Sequence, residues 1–157
     1  MKKIFLLSLF LLSVSVFISC NKSIVFDEKI EFQNENWSYE NKEIIFETTL
    51  KESQDPYTVV LELELMGTPQ VEMFNAAFTI TTPKGGKQIL PIFFNFVNPK
   101  EPFIKGSSPN EKTLRLTVYP KRYFSETGNY SFEVNQFSNK ADNYGIRSLR
   151  MYIEKVK

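Results

Sequence analysis

The chain has 157 residues, a formal net charge of +1 and aromatic side chains at 15% of its positions, enough for one domain with a sizeable core. It has no histidine and a single cysteine. Ser-His and Cys-His nucleophile pairs are thereby excluded, zinc loses its commonest nitrogen ligand, and no thiol pair exists for a disulfide. The near balance of charge gives no electrostatic footprint for nucleic acid.

The chain opens with Lys2 and Lys3, then runs uncharged from Ile4 to Ile18 and reaches Phe17-Ile18-Ser19-Cys20. A basic start followed by a short apolar stretch is the pattern of a secretory signal peptide. A helix rising ~1.5 Å per residue would not comfortably cross ~30 Å of hydrocarbon over that length. A cysteine directly after a small residue at the end of such a run is a bacterial lipobox. Residues 1–19 are therefore expected to be cleaved and Cys20 to carry the lipid, its thiol forming a thioether to diacylglycerol. The plainer reading is an ordinary signal peptide followed by a buried free cysteine. Cleavage leaves 138 residues with 17 basic and 18 acidic side chains, a formal charge of −1. Two or more acyl chains anchor a protein stably at a membrane surface.

Residues 20–30 are read as lipidated cysteine and tether, and 31–157 as a single domain. No acidic export tag follows Cys20, so the domain is expected to face the periplasm, from the outer membrane. The stretch from Glu31 to Asn41 shows no apolar period and reads as an irregular lead-in whose Trp37 plugs one end of the core.

From residue 43 the pattern has period two, the alternation of half-buried strands. Ile44 and Phe46 alternate with Ile45 and Glu47, and the odd positions from Tyr57 to Leu65 are apolar while Glu62 and Glu64 point the other way. Similar alternation surrounds Phe78 and Ile80, Leu114 to Val118, Tyr130 to Val134, and Leu149 to Ile153. Lys84-Gly85-Gly86 turns the chain into a strand spanning Gln88 to Val97. This pattern predicts an all-β fold, an antiparallel sandwich of about seven to eight strands, because each sheet has one apolar face to cover. Glu126-Thr127-Gly128-Asn129-Tyr130 has the glycine-then-tyrosine form with which a phenol ties a sandwich corner.

The longest interruption, Asn98 to Glu111, contains three prolines and the exposed-looking pair Phe103 and Ile104. Loops of this length in compact domains are often functional, and Pro102, Phe103, Ile104 and Lys105 are the candidate partner contact. Catalytic chemistry finds little support. Asp27 with Glu28, or Glu62 with Glu64, could serve as acid and base, but the latter pair reads as the solvated face of a strand. Pro83 to Lys87 lacks the spacing of a phosphate loop, and no calcium loop is present. No enzyme activity, metal or cofactor is expected.

Val25-Phe26-Asp27-Glu28 after the cysteine, the lone Trp37, Met73-Phe74-Asn75-Ala76-Ala77-Phe78 leading to Thr82-Pro83-Lys84-Gly85, and the C-terminal stretches Phe124 to Gln136 and Tyr144 to Lys155 together resemble the gliding-motility lipoprotein GldH family of Bacteroidota. That family often carries a tryptophan and glycines in its central loop, where this chain has prolines. The resemblance implies a non-catalytic accessory or scaffold lipoprotein of the cell envelope, working by protein-protein contact in machinery related to gliding and type IX secretion. A second reading is a glycan-binding sandwich lipoprotein, with Trp37, Tyr39 and Phe103 as its aromatic platform.

Overall fold

The computed structural model describes residues 23–67, 71–97, 99, 103–106, 110–138 and 140–156. Its strands are β1 (Ile24–Glu31), β2 (Glu43–Leu50), β3 (Tyr57–Met66), β4 (Met73–Thr81), β5 (Lys87–Asn95), β6 (Ile104–Lys105), β7 (Glu111–Arg122), β8 (Gly128–Gln136) and β9 (Ile146–Lys155). Two three-residue 3-10 turns, Gln33–Glu35 and Tyr39–Asn41, are the only helical elements among the described residues. The strands form two antiparallel sheets, ordered β1-β9-β3-β7-β6 and β2-β8-β4-β5. Their inner faces meet over one core, so the fold is the β-sandwich that the alternation predicts.

The register shows how that alternation becomes a core. Leu61 lies between Leu116 and Met151, and Leu63 between Leu114 and Leu149, so whole cross-strand rows turn inward together. Phe46 opposite Phe132, and Ile80 beside Phe132, supply the matching layer from the other sheet. All of these except Leu116, which is half-buried, are buried. Aromatic rings bridge the layers: Phe26 of β1 meets Phe46 of β2 edge-on at 6.4 Å, and Phe78 of β4 meets Tyr119 of β7 at 6.3 Å.

Three boundaries differ from the sequence reading. Residues 24–30 are not a tether, because β1 pairs with β9 from Ile24 to Glu31 and turns Phe26 and Ile30 onto the core. Glu28 occupies the inward-parity position between them, which an edge strand tolerates since that side chain still reaches water. The 98–111 interruption contains β6, a two-residue strand that forms a hairpin with Lys112 and Thr113. Finally, β7 runs on through Pro120 to Arg122. Proline is accommodated there because β6 reaches only the first residues of β7, leaving that edge without a donor requirement. Pro91 sits in β5 for the same reason, β5 being an edge of its sheet.

The turns collect at two poles. One pole holds the start of β1, the end of β9 and the connections 51–56, 82–86 and 123–127; the other holds both 3-10 turns and the described residues of 67–72, 96–110 and 137–145. Gly128 joins two turns of the first pole. A Cβ on it would come within 2.8 Å of Pro83 Cβ, and its φ of +146° suits glycine.

Candidate functional site

Cys20 and Pro102 lie outside the described residues. The rest of the predicted contact is divided by the β6–β7 hairpin. Ile104, opposite Thr113, projects into solvent, while Phe103 is half-buried and packs against the core with Lys112 Nζ 5.8 Å from its ring centroid. The backbone of Lys105 pairs with Lys112. Phe103 is thus largely committed to packing and is not the exposed ring that the loop's composition suggests.

Trp37 is 0% exposed, so its ring offers no stacking surface to a sugar. It stacks on Phe32 at 5.1 Å with 11° between the planes, touches Phe74 at 5.1 Å, and donates its indole N–H to the Asn41 carbonyl at 2.9 Å. The lead-in is irregular yet tightly held. Asn143 donates from its side chain to the Trp37 carbonyl at 2.9 Å, and Gln136 Nε2 donates to the Ser38 carbonyl at 3.3 Å. Both polar side chains are buried, and their bonds supplement the single bridge between Asn36 and Tyr144 by satisfying the carbonyls of Trp37 and Ser38. Tyr39 is exposed, with Lys42 Nζ 4.6 Å from its ring. Trp37, Tyr39 and Phe103 therefore do not form a common platform.

The outer face of the five-stranded sheet is covered by ion pairs. Arg150 donates through Nε and Nη2 to the two oxygens of Asp27, both at 2.7 Å, and through Nη1 to Glu62 at 2.8 Å. Glu64 accepts from Ser148 Oγ at 2.8 Å and pairs with Arg147 at 3.3 Å and Lys29 at 3.4 Å. The Arg150 fork holds the Asp27 carboxyl below the usual carboxylate range. Tyr152 lies beneath this layer with the guanidinium groups of Arg150 and Arg115 at 5.0 and 5.6 Å from its ring; burial, and Glu62 next, push its hydroxyl up to about 12. Glu62 and Glu64 are thus mostly buried members of a paired layer and not a solvated face. Among the described residues no group of three or more His, Cys, Asp or Glu could hold a metal ion, and no helix is long and apolar enough to cross a membrane.

The outer face of the four-stranded sheet is different in kind. Along the free edge strand β5, Ile89 is 67% exposed and Phe93 is 53% exposed, with Pro91 between them on the same side. Their cross-strand neighbours on β4 are uncharged: Thr79 opposite Ile89, Ala77 opposite Pro91 and Asn75 opposite Phe93. Met73, also exposed, continues the strip at the start of β4, and Val97 lies just past the end of β5. From this strip a groove of about 180 Å³ crosses the open side of the sandwich, lined by Met73, Phe93, Pro99, Leu114 and Leu116 together with Asn95 and Arg115. Sequence reading missed the strip because Ile89 to Phe94 is apolar at both parities, which equally describes a strand buried on both faces. The available signal was Pro91, which marks an edge.

A scan against protein-family models and a search of curated proteins each return no match for this chain.

Proposed function

We propose that the chain is a lipid-anchored, non-catalytic envelope protein that acts as an accessory or scaffold by protein-protein contact, in machinery related to gliding and type IX secretion. The lipobox at Cys20 and the resemblance to the gliding-motility lipoprotein family support the envelope role. The single observation that favours contact is the asymmetry of the two outer faces: one is closed by ion pairs, and the other presents Ile89, Phe93 and Met73 to solvent, with uncharged partners across the strands from Ile89 and Phe93. Contiguous exposed apolar side chains flanked by polar ones mark interaction surfaces. Pro91 removes a backbone donor from the middle of that edge, so the contact is made by side chains and not by a continuous added strand.

The test is a photo-crosslinking amino acid placed at Phe93 in intact cells, with the same probe at Glu47 on the distant edge strand β2 as control. A discrete adduct at Phe93, absent at Glu47 and lost on Cys20→Ala, supports an anchored contact protein. Equal labelling at both positions, or none at Phe93, removes the support.

A further inference from the structure

We infer that the pole from which β1 emerges is a docking surface for an anionic lipid headgroup layer, so that the domain rests on its membrane and does not swing freely from its anchor. This rests on the reading of Cys20 as the lipidated residue. Cys20 stands three residues before Ser23, a separation that extended chain can stretch to at most about 11 Å. That is close to the Debye length of ~8–10 Å, over which surface charge is felt. The pole that begins at Ser23 must then lie within the electrostatic reach of the headgroups.

Its charge suits that position. The segments 51–56, 82–87 and 121–127 with Lys155 carry Lys51, Lys84, Lys87, Lys121, Arg122 and Lys155 against Glu52, Asp55 and Glu126. The opposite pole has the reverse balance: the described residues of segments 32–43, 67–72, 96–110 and 137–145 carry Glu35, Glu40, Glu43, Glu72 and Asp142 against Lys42, Lys105 and Lys140. The domain is thus polarised along its strands although its total charge is close to zero. Lys155 pairs with Asp55 at 3.9 Å, whereas among the described residues no ion pair engages Lys51, Lys84, Lys87 or Lys121.

The pole also has groups that suit the interface between water and hydrocarbon. Tyr123 is exposed at its rim with Lys121 Nζ 5.7 Å from the ring, and Val25 and Val156 are exposed beside the strand ends. Tyrosine next to lysine is an arrangement favoured at headgroup level. Its turns form a firm base: Ser53 N–H donates to the Phe124 carbonyl at 3.1 Å, Lys84 N–H to Glu126 Oε2 at 3.2 Å, and Lys155 N–H to the Ser23 carbonyl at 2.7 Å.

The experiment uses the chain from residue 20 onward with Cys20→Ser, which contains all nine strands and has no lipid. It is mixed with vesicles of phosphatidylethanolamine and phosphatidylglycerol in equal parts, or of phosphatidylcholine alone, and bound protein is measured by sedimentation. Binding to the anionic vesicles and not to phosphatidylcholine is expected, with release by about 0.5 M salt. The combined variant Lys84→Glu, Lys87→Glu and Lys121→Glu should weaken it at least about tenfold. Lys42→Glu with Lys140→Glu, at the other pole, should leave it within about twofold. Tyr123→Trp provides an independent readout, its fluorescence quenched by brominated lipid while that of buried Trp37 is not. Equal binding to both vesicles, no effect of the combined variant, an equal effect of the distant pair, or an unquenched Trp at 123 would each overturn the proposal. The anchor reading fails separately, by the absence of acyl label on Cys20 in cells.

Discussion

Tyr130 and Glu126 hold each other through the single phenol hydroxyl, which donates and accepts at once. The hydroxyl donates to the Glu126 carbonyl at 3.0 Å and accepts from the Glu126 N–H at 3.2 Å, closing the corner that leads into β8. The glycine-then-tyrosine spacing predicts this tie. Tyr130→Phe keeps the buried ring but leaves the Glu126 amide and carbonyl without that partner, and should lower unfolding free energy by about 1–3 kcal/mol. Urea denaturation followed by fluorescence measures it; an unchanged midpoint would show that water replaces the hydroxyl at no cost.

Tyr152 gives the fold an alkaline limit. Its hydroxyl titrates at about 12 in the folded protein, above its ordinary value of 10.0. Between these values the unfolded chain loses the proton while the folded one keeps it. The contribution is therefore complete below pH ~10 and lost as pH rises through the folded value. Thermal midpoints should fall across that window, and Tyr152→Phe should flatten the fall. A variant with the same slope as the parent would assign the limit to another group.

Arg150 neutralises two carboxylates at once. Arg150→Ala leaves Glu62, whose side chain is only 13% exposed, facing Glu64 without its partner, and should cost about 1–3 kcal/mol. Arg150→Ala with Glu62→Gln should recover part of the loss. On the acid side, the lowered Asp27 value means that its share of stability is present above the ordinary carboxylate value and disappears as pH falls through the folded one. Asp27→Asn should accordingly make the acid limb of the stability curve shallower.

Trp37 is enclosed by Phe32 and Phe74, so iodide should leave the native fluorescence almost unquenched and quench it freely in urea. Trp37→Ala should cost about 3–5 kcal/mol, the range for emptying a large aromatic site. Strong quenching in the native state would reopen a role for this ring in ligand stacking.

What could be read from the chain followed from which groups meet the core. Period two located the strands from β2 onward because each has one side inside and one outside, as Glu62 and Glu64 show between Leu61, Leu63 and Leu65. β1 escaped since Glu28 breaks its inward row, and whether such a segment is tether or edge strand depends on β9, more than a hundred residues away. The ion-pair layer was hidden for the same reason: Arg150 and Asp27 are 123 positions apart. Nothing local to Glu62 reveals the arginine above it. At the exposed strip the obstacle was different, for an apolar run has no parity, and only the position of β5 at a sheet edge decides which of its side chains remain in water.

The pairing of β1 with β9 has a mechanical meaning. β1 starts at the pole that holds the 51–56 and 123–127 connections and runs antiparallel to β9 for its whole length, with Ser23 tied to Lys155 at the first rung. A pull on the chain ahead of Ser23, directed along the strands, therefore acts on the rungs of that ladder together, in shear, and does not peel them one after another. An edge strand, easily stripped from its sheet sideways, is here loaded along the direction in which it yields least, so a pull on the chain ahead of it is resisted without a disulfide.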